Sequence, residues 1–466
     1  MPGLRLRAWY NQASVITWHD GMRMAAKVAP QILRGMRDIL PARMILRQYV
    51  VGVLREVFER FGFEPMETPA VEYAETLEGK FGDEADKLIY EFEDRGGRRV
   101  GLRYDLTVPL ARVVAMYPEL VKPFKRYQIA PVWRAERPQK GRYREFYQCD
   151  VDVVGSSSML ADAEVVTVAD FALRQLGFSR YRIKLNDRKV LTALAEYAGV
   201  PLESAGGIYR AVDKLEKIGA EGVREELASF GIPPDAIARL LDLIQVRGEP
   251  AAVFAQLRGK LAGIAKGLEG IDELEQIVTF LAELGVAPER YEIDLSMVRG
   301  LDYYTGPIFE AVVDEPRIGS ICGGGRYDNL IGTFGGPSYP AVGISVGLER
   351  IIDVLEELEL AKERLRKTLT DVLVTVFGPE TRPASLALVT ELRGIGINAE
   401  VYLGLERLPN QLRYASRKGI PYVAILGPDE VAKDLVLVKN MSTGEQKSYE
   451  RGAVGGALLA MLRPAP

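Results

Sequence analysis

The stretch Arg134–Asp152, RAERPQKGRYREFYQCDVD, decides the fold, because it joins two segments that have the pattern of β-strands. The run KRYQIAPVW precedes it, and the run EFYQCDVDVV overlaps its end. Pro138 and Gly141 lie between the two runs and mark a turn or loop. Arginines and lysines are concentrated in the same loop. The stretch therefore predicts a hairpin with a strongly basic tip.

Side chains of the second strand should alternate between two faces. Gln148, Asp150 and Asp152 then share one face with Phe146, opposite an apolar row that includes Cys149. A polar row in mid-strand is either a solvent face or the floor of a site. The arginine cluster favours a site, because guanidinium groups bind phosphate oxygens through two hydrogen bonds. Cations for phosphate beside carboxylates for an amine suggest a site for a nucleotide and an amino acid.

Composition limits the possible classes of protein. A length of 466 residues predicts about three domains. The net charge of −4 gives no global signal for nucleic acid, so any RNA contact depends on local basic patches. The two cysteines form no disulfide framework or CxxC pair, so a reducing cytoplasm is expected. His19 is the only histidine, which argues against His-rich metal sites and a Ser-His-Asp triad. No apolar run approaches the ~20 residues that span a bilayer.

The pattern along the chain predicts several units. A helix is expected from Pro41 to about Phe61, and Thr107 is a plausible helix N-cap, with Pro109 in the first turn. Beyond the linker, β and α patterns alternate, as in a small α/β domain with a mixed sheet. The predicted boundaries are 1–29 for an N-terminal extension or a misplaced start, 30–188 and 291–360 for a catalytic domain, 189–290 for a helical insertion, 361–370 for a linker and 371–466 for the last domain.

Several strings resemble the histidyl-tRNA synthetase family of class II aminoacyl-tRNA synthetases. FKRYQIAPVWRAERPQKGRYREFYQ resembles motif 2 of the class. RGLDYYTG, residues 299–306, and ICGGGRYDNLIGTFGG resemble two motifs specific to the histidine family. AVGISVGLERIIDVLEEL resembles motif 3. FEPMETPAVEYAETL, with Pro69, resembles the weaker motif 1, although an edge strand with a proline would look the same.

The resemblance implies an α+β fold, in which an antiparallel sheet is flanked by helices. It also implies a helical insertion and a C-terminal α/β anticodon-binding domain. The expected activity is ATP-dependent ligation of histidine to its tRNA, tRNA(His), through a histidyl-adenylate. ATP is then a substrate and Mg²⁺ is expected with it. A homodimer is implied by the family alone, because motif 1 is weak evidence for it.

The resemblance also assigns roles to individual residues. Arg134 and Arg299 are expected to be catalytic, at the α-phosphate. Histidine-binding residues are expected at Asp105, Thr107, Gln148, Asp152, Arg299, Tyr303, Tyr304 and Tyr327. ATP-binding residues are expected at Arg134, Glu136, Arg137, Arg142 and Arg350. Residues that bind tRNA are expected at Gln139, Arg413 and Arg417. No metal ligands are expected on the protein itself.

Three other readings of the sequence remain. The first is a regulatory paralogue without aminoacylation activity, like the regulatory subunit of ATP phosphoribosyltransferase. The second is another class II synthetase, such as the prolyl or threonyl enzyme. The third is a histidine-sensing, RNA-binding domain. The intact motifs and the C-terminal domain argue against a regulatory paralogue, and RGLDYYTG and GGGRYDNL argue against another class II synthetase. The lack of a further effector domain argues against a histidine-sensing domain.

Overall fold

The computed structural model describes residues 29–78, 88–138, 142–200, 205–298, 303–316, 318–360, 366–404 and 406–462. The strands within these ranges are β1 Glu64–Pro65, β2 Val71–Tyr73, β3 Tyr90–Glu93, β4 Arg99–Leu102, β5 Phe124–Trp133, β6 Glu145–Val154, β7 Tyr181–Asp187, β8 Tyr291–Ile293, β9 Pro307–Val313, β10 Ser320–Arg326, β11 Ala341–Gly347, β12 Val372–Val374, β13 Ala399–Val401, β14 Tyr422–Ile425, β15 Leu435–Asn440 and β16 Gln446–Glu450.

The α-helices in the same ranges are α1 Pro41–Arg60, α2 Ala74–Leu77, α3 Thr107–Met116, α4 Met159–Gln175, α5 Arg188–Ala198, α6 Ala205–Val212, α7 Leu215–Ser229, α8 Pro234–Ile244, α9 Pro250–Lys260, α10 Ala265–Glu283, α11 Leu348–Glu357, α12 Arg382–Gly394, α13 Leu408–Lys418, α14 Pro428–Ala432 and α15 Val454–Leu462. Short 3₁₀ turns occupy Pro288–Arg290 and Ile331–Phe334. No helix in the described part of the chain is long and apolar enough to cross a bilayer.

The central sheet has eight strands in the order β1-β5-β6-β11-β10-β9-β7-β8. Neighbouring strands are antiparallel from β5 to β7, and only the outer pairs β1–β5 and β7–β8 are parallel. This arrangement confirms the predicted α+β fold built on an antiparallel sheet. The two strands predicted around the basic loop are β5 and β6, and β6 is paired on its other side with β11.

One face of this sheet is apolar and is covered by helices. On β6 it presents Cys149 and Val151, which are fully buried. Helix α1 packs against α4 and α11, and its buried residues Leu46, Val50 and Leu54 recur at a spacing of four. The helix predicted from Pro41 therefore forms, and it ends at Arg60. The opposite face of the sheet is left open for polar side chains.

The chain between β7 and β8 is helical, from α5 to α10. Helix α10 packs against both α5 and α4, so its buried residues join the core of the main sheet. The described residues of this region form the helices that the composition predicted. The boundaries proposed for a separate insertion domain remain a prediction.

The C-terminal region forms a mixed five-stranded sheet in the order β13-β12-β14-β15-β16. Strands β13, β12 and β14 are parallel, and β15 and β16 continue the sheet in antiparallel fashion. The predicted small α/β domain is thereby confirmed. The sequence patterns do not predict β16, α14 or α15.

Strands β2, β4 and β3 form a separate three-stranded sheet near the N-terminus of α3. In the stretch likened to motif 1, β1 ends at Pro65, and Pro69 lies between β1 and β2. The N-cap prediction for Thr107 is wrong, because α3 already includes Thr107. The carboxylate of Asp105 accepts a hydrogen bond from the Val108 N–H at 3.1 Å, and so satisfies a free donor of the first turn.

Candidate functional site

Two adjoining cavities lie on the polar face of the central sheet. The larger has a volume of about 350 Å³. The smaller has a volume of about 160 Å³. Arg134, Gln148, Gly323 and Ser345 line both cavities. A ligand that fills both would therefore pass beside these four residues.

The floor of the smaller cavity comes from cross-strand neighbours. Gln148, Asp150 and Asp152 of β6 pair with Gly347, Ser345 and Gly343 of β11, respectively. The small side chains of β11 leave space above the strand, while the longer side chains of β6 enter the cavity. Its lining residues are Asp105, Thr107, Arg134, Gln148, Asp150, Asp152, Tyr303, Tyr304, Gly323, Tyr327, Gly343, Ile344 and Ser345.

Asp152 is held by two protein groups. The Tyr327 hydroxyl donates a hydrogen bond to Oδ1. The Arg126 guanidinium lies 2.8 Å from Oδ2, and both members of this ion pair are buried. The negative charge of Asp152 is therefore already paired within the protein.

Several acceptors in the smaller cavity lack a hydrogen-bond partner among the described residues. They include Asp105 Oδ2, Gln148 Oε1 and Asp150 Oδ1, each of which is buried. Buried acceptors in native proteins are nearly always satisfied. Such a group of acceptors fits a ligand that brings several N–H donors.

Burial raises the pKa of the carboxyl groups that line the smaller cavity, and so disfavours their ionised forms. It raises the pKa of Asp105 to about 6. It raises the pKa of Asp150 to about 7, against the opposing attraction of Arg126. The pKa of Asp152 is raised by the same cause. A cationic ligand would offset this burial cost and favour the ionised carboxylates.

Three tyrosines form one wall of the smaller cavity. The ring centroids of Tyr303 and Tyr304 are 4.6 Å apart, and those of Tyr303 and Tyr327 are 5.6 Å apart. Burial raises the pKa of each hydroxyl, so all three remain neutral donors near neutral pH. A planar ring with polar nitrogens would fit beside this wall.

Gly343 is required where β11 passes Asp152. A Cβ at this position would lie 2.0 Å from Asp152 Oδ1. Gly324 of β10 is equally restricted, because its Cβ would lie 2.1 Å from the Gly343 carbonyl oxygen. The glycines of GGGRYD thus permit close strand packing at the site, as well as space for a ligand.

Cationic side chains line the larger cavity. Arg134 lies at its junction with the smaller one, where its Nε donates to the Tyr104 carbonyl at 3.0 Å and its guanidinium lies 5.0 Å from the ring centroid of Phe146. Arg142 is 3.7 Å from Glu136. Arg350, in the first turn of α11, donates to the Ser320 carbonyl. Three guanidiniums around one cavity favour an anionic ligand.

Glu349 also lines this cavity and joins three segments. Its carboxylate accepts hydrogen bonds from Arg47 of α1 and from the Tyr147 N–H of β6, the latter at 3.1 Å. Arg37 is a further cation, 3.6 Å away. Burial raises the pKa of Glu349, although Arg47 opposes the effect. This carboxylate fixes α11, and with it Arg350, relative to the sheet.

The structure brings most of the predicted site residues together. It places these around the two cavities: Asp105, Thr107, Arg134, Glu136, Arg142, Gln148, Asp152, Tyr303, Tyr304, Tyr327 and Arg350. Arg137 is exposed and does not line either cavity. Arg299 and Gln139 lie outside the described residues. Arg413 and Arg417 are exposed on α13 of the C-terminal domain.

Sequence reasoning assigned no role to several residues of the site. Alternation places Asp150 and Phe146 on the correct face of β6, but the family resemblance assigns them no binding role. Arg126 becomes visible only from the register of β5 with β6. For Glu349, the available signal was its place beside Arg350 in the motif 3 string.

Comparisons with known proteins agree with this geometry. A family model described as histidyl-tRNA synthetase matches residues 35–351, and one described as anticodon binding domain matches residues 371–461. The histidine–tRNA ligase of Cytophaga hutchinsonii is 44% identical over 439 residues, covering 90% of this chain and 96% of the relative. That of Aeropyrum pernix is 45% identical over 435 residues, covering 93% and 98%.

Solved structures show the same likeness. The crystal structure of histidyl-tRNA synthetase from Nostoc sp. PCC 7120 has a TM-score of 0.83 and 32% identity, covering 93% of this chain and all of that chain. A structure titled ATP phosphoribosyltransferase regulatory subunit/histidyl-tRNA synthetase, from Bacillus halodurans, has a TM-score of 0.69 and 25% identity, covering 82% and 95%. Matched along most of its length in both sequence and fold, the chain belongs to the histidyl-tRNA synthetase family.

Proposed function

We propose that this chain ligates histidine to tRNA(His) in two steps, with a histidyl-adenylate as the intermediate. The observation that carries the proposal is the junction of the two cavities at Arg134. One cavity offers unpartnered acceptors for an amino acid with N–H groups, and the other offers guanidiniums for phosphates. The curated relatives that match most of the chain are named histidine–tRNA ligase.

In the first step, a carboxylate oxygen of histidine attacks the α-phosphorus of ATP. A bond forms between this oxygen and phosphorus, and the bond to the pyrophosphate leaving group breaks. Such a displacement depends on positioning and on neutralisation of charge. Arg134 is positioned to stabilise the α-phosphate, because it lines both cavities. The sequence motif assigns the same role to Arg299. The terminal ribose hydroxyl of the tRNA then attacks the acyl carbon and releases AMP.

The smaller cavity would hold histidine by its two polar ends. Asp105, Thr107 and Gln148 provide acceptors for the α-ammonium group. Asp152 and the tyrosine wall would surround the imidazole ring, with Tyr327 fixed by its hydrogen bond to Asp152. A site that pairs both nitrogens of the ring discriminates strongly against isosteres that lack them.

The larger cavity would hold the triphosphate. Arg142 and Arg350 line it with Arg134, and Arg137 is assigned to the phosphates by the motif alone. Mg²⁺ usually binds through substrate phosphates and one or two carboxylates, and Glu136 is a partly exposed carboxylate in this cavity that fits such a role. The metal would neutralise phosphate charge during the displacement.

Partners are proposed from the surface of the chain. Arg413 and Arg417 lie one turn apart on α13 and are both exposed, which suits contact with the phosphates of tRNA. Gln139 is assigned to tRNA from the motif alone. The three-stranded sheet exposes Val71, Tyr73 and Phe92 at 42%, 50% and 46%, which suits burial against a second copy in a homodimer.

Amino-acid-dependent exchange of pyrophosphate into ATP tests the activity. Exchange that depends on histidine, followed by charging of tRNA(His), would support the proposal. Exchange with proline or threonine instead would identify another class II synthetase. A folded protein that binds histidine without any exchange would indicate a regulatory paralogue. The preparation should show cooperative melting, so that absence of exchange is not due to unfolding.

A further inference from the structure

Arg326 is a buried cation at the end of β10, and it lines neither cavity. A Cβ on the preceding residue, Gly325, would lie 3.0 Å from the ring of Tyr304, so Gly325 faces the tyrosine wall. Because side chains alternate along a strand, Arg326 points the other way, toward α4. Tyr327 follows it and lines the smaller cavity. The sequence thus sets a buried charge directly behind the wall of the proposed amino-acid site.

The guanidinium of Arg326 ties the end of β10 to the start of α4. It forms a two-bond ion pair with Asp162, which lies in the first turn of α4 and is fully buried. Its terminal nitrogens also donate to the carbonyl groups of Ser156 at 2.9 Å and Ser158 at 3.2 Å. A buried guanidinium is costly unless its donors are paired, and here each of the three nitrogens has an acceptor.

The same strand end is joined to the segment that carries Tyr304. The carbonyl of Arg326 accepts a hydrogen bond from the Thr305 N–H at 2.8 Å. The hydroxyl of Thr305 in turn accepts one from the Asp328 N–H at 3.1 Å. Thr305 follows Tyr304, and Asp328 follows Tyr327. These two links therefore hold two of the three rings of the wall in one fixed arrangement, which Arg326 anchors to α4.

We infer that Arg326 and Asp162 are positioning residues, which hold Tyr304 and Tyr327 in place for the imidazole ring from the opposite side of the sheet. The inference rests on the proposed function, in which the tyrosine wall surrounds the ring. Neither residue of the pair touches the substrate. The larger cavity is bordered by the other end of β10, from Ser320 to Gly323. Loss of the pair should therefore weaken the binding of histidine but not of ATP.

Asp162→Asn tests the pair, because it removes the anion and keeps nearly the same side-chain shape. Calorimetry measures the dissociation constants of histidine and of ATP. The constant for histidine should rise about 10- to 100-fold, since a misplacement of ~1 Å in a site can cost roughly 100-fold. The constant for ATP should not change. Asp170→Asn is the matched control, because Asp170 is a buried carboxylate on the same helix whose partners are Tyr181 and Arg174. It should bind both ligands as the wild type does.

Thr305→Val is a second variant, which keeps the inference testable if Asp162→Asn does not fold. It removes the hydroxyl link to Asp328 and leaves the ion pair intact, and it should also weaken the binding of histidine alone. Unchanged affinity for histidine, an equal loss for both ligands, or the same loss in Asp170→Asn would overturn the inference. A wild type that binds histidine without catalysing exchange would count against the proposed function only. A wild type that binds no histidine would overturn both.

Discussion

Replacement of Asp150 by asparagine should stabilise the unliganded protein at neutral and alkaline pH. Burial raises the pKa of this carboxyl from 3.8 to about 7 in the folded protein. A difference of this size between folded and unfolded states corresponds to about 4 kcal/mol at pH values above both pKa values. Asparagine has nearly the same shape and never ionises, so it avoids this cost.

The sign of the pH dependence follows from the same linkage. Because the folded pKa lies above the unfolded one, the stability contributed by the carboxyl is complete below about pH 4 and is lost as pH rises through about 7. Asp150→Asn should therefore match the wild type near pH 4 and exceed it by up to about 4 kcal/mol at pH 8. Buried carboxylates that do not interact with Asp150, such as Asp162, titrate in both proteins and cancel in the comparison.

Urea unfolding, followed by circular dichroism at a series of pH values from about 4 to about 8, measures this difference. The gap between variant and wild type should widen with pH and then level off above about 7. Saturating histidine should narrow the gap, because its ammonium group in the smaller cavity would favour ionised Asp150 in the wild type. Parallel stability curves for the two proteins over the whole pH range would refute the reasoning, since they would mean that burial imposes no cost on ionised Asp150.

Four further substitutions test other parts of the site. Arg134→Lys should slow histidine-dependent exchange about 100-fold, because a point charge replaces a guanidinium at the reacting phosphate; an unchanged rate would contradict its catalytic role. Glu349→Gln should lower the free energy of unfolding by roughly 3 kcal/mol, because Arg47 loses its buried ionic partner. Urea unfolding measures this loss, and a free energy of unfolding equal to that of the wild type would contradict the prediction. Gly343→Ala should raise the KM for histidine but not for ATP, because the new Cβ would lie 2.0 Å from Asp152 Oδ1 and would displace this carboxylate. Equal effects on the KM of both substrates would instead show a general disturbance of the structure. Joint replacement of Arg413 and Arg417 by alanine should raise the KM for tRNA and leave the rate of pyrophosphate exchange unchanged. Both side chains are exposed and lie outside the two cavities. An unchanged KM for tRNA would show that they do not contact tRNA.

Local patterns were sufficient to predict the two strands around the basic loop. Alternation along β6 and the Pro138–Gly141 turn signal are properties of neighbouring residues, and they placed Gln148 and Asp152 on the correct face. Partners from distant strands could not be obtained in this way. Arg126 reaches Asp152 only because β5 pairs with β6 in one particular register. Which carboxylate remains free for a ligand therefore depends on tertiary contacts.

The error at Thr107 has a similar origin. Threonine is a common N-cap, so its position before Pro109 favoured that reading. In the structure, the carboxylate of Asp105 accepts the hydrogen bond from the Val108 N–H. The helix begins at Thr107, one residue earlier than it would if Thr107 were the N-cap. Arg137 shows a different limit, since its motif position implies a phosphate contact, whereas its exposed side chain does not line the cavity proposed for the phosphates.

The shared lining of the two cavities has a consequence for inhibitor chemistry. Arg134, Gln148, Gly323 and Ser345 border both spaces, so the two cavities adjoin at these four residues. One molecule that carries an imidazole at one end and an adenosine at the other, joined by a stable mimic of the acyl phosphate, could occupy both at once. Tethering makes the second binding event intramolecular, so its affinity should far exceed that of either fragment alone. Because the same four residues border both cavities, a compact linker is favoured over a long flexible one.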